Sequence, residues 1–115
     1  MKLEVGMYVR TKAGMIAKIT RHEHYWINKE EWNYITTDID RNFEIESIIK
    51  TTNNIIDLIE VGDYVNGYKV IEFNKKRIAL GLSDKSYSYY LIEDFEIKSI
   101  VTKEQFESMS YKIGD

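Results

Sequence analysis

The sequence predicts a mainly β protein: two tandem copies of one small unit packed together, with a short C-terminal helix. Three observations carry that expectation. Leu3-Glu4-Val5-Gly6-Met7-Tyr8-Val9 recurs fifty-six positions later as Ile59-Glu60-Val61-Gly62-Asp63-Tyr64-Val65. Phe43-Glu44-Ile45-Glu46-Ser47-Ile48-Ile49 recurs fifty-two positions later as Phe95-Glu96-Ile97-Lys98-Ser99-Ile100-Val101, in the same order within each half. Short runs of alternating apolar and polar residues fill both halves, as half-buried strands require. Two ordered matches are hard to attribute to low complexity, so residues 1–58 and 59–115 read as copies of one fold, the second four residues shorter in its middle.

In the first copy, Met7-Tyr8-Val9-Arg10 is a strand, Thr11-Lys12-Ala13-Gly14 a turn, and Met15 to Ile19 the returning strand. His24 to Lys29, Asn33 to Thr37 and Phe43 to Ile49 are further strands, and Thr52 to Leu58 is one helical turn leading into the second copy. There, Asp63-Tyr64-Val65 and Tyr68 to Phe73 flank Asn66-Gly67, a dipeptide suited to a type I′ turn because both residues accept positive φ. Arg77 to Leu82, Tyr87 to Ile92 and Phe95 to Val101 complete about five strands per copy. Thr102-Lys103-Glu104-Gln105 fits a capping box and predicts a helix over 103–109, with Phe106 and Met109 as its apolar face. No Gly, Ser or Pro tract separates the copies, and about 56 residues alone make a marginal core, so the two are expected to pack closely around a junction cleft.

Composition narrows the chemistry. The 115 residues carry 16 basic and 19 acidic side chains, a net charge of −3, shared as −1 and −2 between the halves. No basic excess is present to release counterions from a nucleic-acid backbone. With no Cys there is neither a disulfide framework nor a thiolate for catalysis or zinc. The six glycines are dispersed and form no phosphate loop, and no serine sits in a Gly-x-Ser-x-Gly elbow. A non-enzymatic protein without cofactor is expected. His22-Glu23-His24 places both imidazoles on one strand face, where Asp38 or Asp40 could complete a metal edge. Zinc sites need three or four ligands, so the segment reads as a polar strand. Met1 to Gly6 lacks the apolar region of a signal peptide and the apolar runs are too short to span a bilayer, so a soluble cytoplasmic protein is expected.

Aromatic residues are the informative excess. They make up 13% of the chain and bunch at Tyr25-Trp26, Trp32-Asn33-Tyr34 and Tyr87-Ser88-Tyr89-Tyr90, where the copies diverge. Strand neighbours point to opposite faces, so at least one ring of each adjacent pair is expected outside the core. Exposed rings beside cations stack bases or anchor protein hot spots. The candidate binding residues are therefore Trp26, Trp32, Tyr34, Tyr89 and Tyr90 for stacking or burial, with Arg10, Lys12 and Arg77 for phosphate or carboxylate. The bland alternative has the rings covering the ends of each unit or the contact between copies. Lys75-Lys76-Arg77 reads as a solvated turn.

The opening apolar-x-Val-Gly-x-Tyr-Val, a tight hairpin and several short strands resemble SH3-like small barrels, a shape used for nucleic-acid, peptide and protein contacts. The stretch from Asn54 to Val70, and again from Ser99 to Phe106, resembles small proteins encoded by phages and prophages of low-GC Gram-positive bacteria. Abundant Ile, Lys and Asn without Pro is the bias of an AT-rich coding sequence. The resemblance implies a mobile-element origin and, as for many accessory proteins of this size, antagonism of host immunity, either anti-CRISPR-like binding of a defence protein or sequestration of a nucleotide signal. It carries over no site residues. A nucleic-acid-binding accessory factor is the alternative, followed by a phage structural or assembly module with an aromatic homo-oligomer interface.

Overall fold

The same turn opens each half, and its geometry explains the repeated motif. Gly6 and Gly62 hold φ of 94° and 98° in the computed structural model, which describes residues 2–109. That left-handed region is open to glycine at little steric cost. Around them the Met7 amide donates to the Glu4 carbonyl and the Asp63 amide to the Glu60 carbonyl, both at 3.1 Å. The Gly6 amide donates to Ile19 at 2.8 Å and the Gly62 amide to Val70 at 2.9 Å. The turn leaves Val5 and Val61 exposed and sends Leu3 and Ile59 into the hydrophobic cores.

Two compact units follow, Met1–Leu58 and Ile59–Asp115. In the first, β1 (Tyr8–Thr11), β2 (Ile16–Ile27), β3 (Glu30–Thr37), β4 (Asn42–Glu44) and β5 (Ile48–Thr52) form one antiparallel sheet in the order β4-β3-β2-β1-β5. In the second, β6 (Tyr64–Val65), β7 (Tyr68–Phe73), β8 (Arg77–Ser83), β9 (Ser86–Leu91) and β10 (Ile100–Val101) repeat that order as β10-β6-β7-β8-β9. A 3-10 turn precedes the last strand of each, Ile45–Ser47 and Ile92–Asp94. The ladders leave β4 and β5, and likewise β9 and β10, as sheet edges. The fold is mainly β, with one short α-helix among the described residues, α1 (Lys103–Met109).

Each sheet buries one face. Met7, Val9, Ala17, Ile19, Ile35, Phe43 and Ile48 form the first core; Ile59, Val65, Val70, Ile78 and Leu80 form the second. Repeated positions do repeated work, since Val9 and Val65 are both fully buried and Ile48 and Ile100 both begin the closing strand. The β2–β3 register slips between Ile19 and Arg21, and the β7–β8 register between Val70 and Glu72. Both bulges follow the core residue that accepts the glycine amide. A bulge bends its strand and strengthens its twist.

Asn66 and Gly67 turn with φ of 52° and 88°, the hairpin expected there. Asn66 does more than turn: its side chain accepts from the Lys98 and Ser99 amides and donates to the Glu96 carbonyl. The helix also starts where expected. The Gln105 amide donates to Thr102 Oγ1 at 3.2 Å and the Thr102 amide to Gln105 Oε1 at 3.1 Å, a reciprocal capping box. Ile55–Leu58 is a single 3-10 turn.

Three expectations change. The strands expected over Met15 to Ile19 and His24 to Lys29 are not separate: Ile16 to Ile19 and His24 to Ile27 belong to the twelve-residue β2, which runs through Thr20 to Glu23 by way of its bulge, and Asn28-Lys29 form the turn that follows. The segment from Phe43 to Ile49 is not one strand, because the Ser47 hydroxyl donates to the Glu44 carbonyl and the chain takes a 3-10 turn. Its second copy is irregular until Ile100, with its amides held by Asn66. Phe106 stacks on Tyr64 at 4.4 Å, whereas Met109, expected on the same apolar face, is 71% exposed.

Candidate binding surface

The aromatic clusters lie on hairpins that outgrow their sheets. In the first unit β1 pairs with β2 only along Ile16 to Lys18, and β4 pairs with β3 only along Tyr34 to Thr36. From His22 to Ile27 and Glu30 to Asn33 the two strands pair only with each other among the described residues. They form a two-stranded arm ending at Asn28-Lys29, both with positive φ of 51° and 67°. An isolated two-stranded ribbon is marginal in water, so its side chains must pack across it.

Tyr25 lies opposite Trp32 and Glu23 opposite Tyr34, placing all four on one face. Tyr25 stacks parallel to Trp32 at 6.4 Å and meets Tyr34 edge-on at 6.4 Å. A hydrogen bond with Tyr34 raises the Tyr25 phenol above its ordinary pKa. On the other face, His22 Nε2 is 2.9 Å from Asn33 Oδ1 and His24 Nε2 is 2.8 Å from Glu31 Oε1. The two histidines share a face, but their partners are an amide and a carboxylate. No group of three or more metal-ligating side chains occurs among the described residues. Trp26 is 65% exposed and lies on the histidine face; Trp32 is 45% exposed and lies on the tyrosine face.

Beside the tyrosine face runs a groove of about 630 Å³. Tyr25, Trp32 and Tyr34 form one wall, and Glu31, Glu44 and Glu46 supply its charge. Glu44 lies directly across from Tyr34. Arg21, on the same face, pairs with Glu23. Arg41 lies over the Phe43 ring, 5.1 Å from its centroid.

In the second unit the elongated hairpin is β8–β9 rather than β7–β8. Tyr87 and Tyr89 share its outer face, meeting edge-on at 5.6 Å. The Tyr89 hydroxyl donates to Glu72 Oε2 at 2.6 Å, and Arg77 lies over the same ring at 5.0 Å. That hydrogen bond and burial push the Tyr89 phenol up to about 12. Tyr90 faces the other way, tilted against Phe95 at 5.4 Å, and lines a smaller hollow with Tyr68, Leu80 and Leu82. Gly81 allows β8 and β9 to approach, because an added Cβ would lie 2.5 Å from the Tyr87 Cα and closer still to the Ser86 carbonyl.

The eight expected site residues thus separate. Trp32 and Tyr34 share one face of the arm and Trp26 lies on its other face; Arg77 and Tyr89 meet on the outer face of the other hairpin, with Tyr90 behind them. Lys12 is exposed in the β1–β2 turn, where its amide donates to Ser47. Arg10 is corrected: it is fully buried and donates from Nη1 to the Leu58 carbonyl at 2.8 Å, so it cannot meet an external anion. It follows the core residue Val9 on a strand whose last three residues are all buried. Lys75 and Lys76 are an exposed turn, as expected, ordered by Asn74, whose side chain accepts from the Lys76 and Arg77 amides. Sequence reasoning missed Tyr25, Glu44 and Glu46 as groove residues. The i to i+7 pairing of Tyr25 with Trp32 around Asn28-Lys29 was the available signal, but a non-glycine turn hid it. Among the described residues no helix is long and apolar enough to cross a membrane. Comparison with protein-family models, curated proteins and solved structures finds no match for this chain.

Proposed function

We propose that this chain is a non-enzymatic binding protein made of two SH3-like small barrels, whose aromatic hairpins hold a macromolecular partner. The barrel reading is supported by the shared strand order and by the 3-10 turn before the last strand of each unit. The observation that carries the binding reading is the arm beyond His22, with Trp26 and Trp32 exposed on opposite faces and no third strand paired to it there among the described residues. Large aromatic rings left in water are costly to solvate and are what protein hot spots use. The resemblance to phage and prophage proteins makes a bacterial host defence protein the target class, met in the cytoplasm of the host cell.

The test is capture from a defence-carrying bacterial lysate by the intact chain and by a Trp26→Ala/Trp32→Ala variant, alongside phage growth on those hosts. The intact chain should retain one protein in near-stoichiometric amount and rescue phage growth, and the variant should lose both while keeping its far-UV spectrum. Equal behaviour of the two proteins would refute the reading. A nucleic-acid or nucleotide ligand is the second reading, favoured by Arg77 over the Tyr89 ring in the second unit. A steep fall in affinity between low and physiological salt would select it.

A further inference from the structure

We infer that the groove beside the β2–β3 arm receives a basic segment of the partner protein, seating an arginine or lysine side chain against Tyr25, Trp32 and Tyr34. This deepens the binding-protein reading and rests on it. The groove combines the two features a desolvated cation needs. Three aromatic rings line it, whose electron-rich faces attract a cation, and Glu44 and Glu46 add negative charge to its lining. Among the described residues neither carboxylate has an ion-pair partner, whereas Glu23 on the same face is already paired with Arg21. Among the described residues no lysine or arginine lines the groove. A phosphate or an acidic peptide would therefore be repelled there.

The shape favours a peptide over a free organic cation. The groove follows β4 and the turn after it, Asn42 to Glu46, and β4 is an edge strand with no partner on its outer side among the described residues. An extended segment laid along that edge gains main-chain hydrogen bonds that a small ammonium ion lacks. Guanidinium also stacks on aromatic rings and bonds carboxylates bidentately, so arginine is the better fit.

The experiment titrates the intact chain, at low ionic strength, with a short peptide carrying two arginines in a Gly-Ser background, following tryptophan fluorescence and heat. Controls are the citrulline version, an acidic version and free guanidinium ion. The arginine peptide is expected to bind at least about tenfold more tightly than the citrulline peptide, and Glu44→Gln/Glu46→Gln is expected to erase that preference. Trp32→Ala should weaken binding similarly while leaving the far-UV spectrum unchanged. Equal binding of the citrulline peptide, no binding at millimolar concentration, indifference to the Glu44→Gln/Glu46→Gln change, or free guanidinium binding as tightly as the peptide would each overturn the proposal. If lysate capture still depends on Trp26 and Trp32 but survives the Glu44→Gln/Glu46→Gln change, the binding-protein reading stands and only the basic partner falls.

Discussion

Asp63 shows how one substitution between the repeats changes the structure around it. Its counterpart Met7 packs in the first core, with Thr51 Oγ1 donating to its sulfur at 4.0 Å. Asp63 is fully buried and its carboxylate accepts from the Glu60 amide at 2.8 Å and the Lys103 amide at 2.9 Å, tying the opening turn to the start of α1. Lys103 adds an ion pair to Glu60 at 2.8 Å, whose hydrogen bond raises the lysine pKa. Asp63→Ala leaves both amides unsatisfied and should cost about 2–3 kcal/mol, with hydrogen exchange accelerating first in α1. Tyr89 gives a pH prediction. Its folded pKa of about 12 lies above the ordinary tyrosine value near 10, so the folded state keeps a proton that the unfolded state gives up. Its contribution to stability is complete below about pH 10 and disappears as pH rises towards 12. Denaturation midpoints across that window should fall less steeply in Tyr89→Phe, and Glu72→Gln should bring the Tyr89 titration back towards 10.

Hairpin length is where the two units part. The first lengthens β2–β3 into the arm; the second keeps β7–β8 short and lengthens β8–β9. Those choices account for the mismatch in the middle of the repeat and place each aromatic cluster on a different hairpin. Close approach of β8 and β9 depends on Gly81, so Gly81→Ala must displace β9 and should destabilise the second unit by about 1–3 kcal/mol in urea denaturation. The same variant should shift the Tyr87 and Tyr89 resonances while leaving those of Tyr25 and Tyr34 in place. Thr102→Ala removes the hydroxyl half of the capping box and should cost about 1 kcal/mol, read as loss of helical ellipticity. The repeat, the Asn66-Gly67 hairpin and the helix start were legible because each depends on local turn chemistry. The unbroken β2 was not, because a bulge shifts the alternation by one residue at Thr20 and makes one strand look like two.

For the molecule as a whole, charge is the first discriminator. A net charge of −3 with no basic half gives little long-range attraction for a polyanion. The chain is expected to pass through a duplex-DNA column at physiological salt, and retention there would turn attention to Arg77 and the second unit. Small units of this size bury a modest share of their surface, so each core residue carries weight. Ile35→Ala, in the first core at a fully buried position beside the root of the arm, should cost about 2–5 kcal/mol by thermal or urea denaturation.

Residue order alone revealed the internal sequence repeat, the β character and the start of the helix, because periodicity and turn preferences act over a few neighbouring residues. It also marked the clusters of rings. Only the three-dimensional structure decided which rings share a face, that Arg10 faces inward, and that Glu44 and Glu46 stand beside Tyr34. Those facts depend on strand register, and register is set by pairing between segments distant in the chain, where a single bulged residue turns every later side chain to the opposite side.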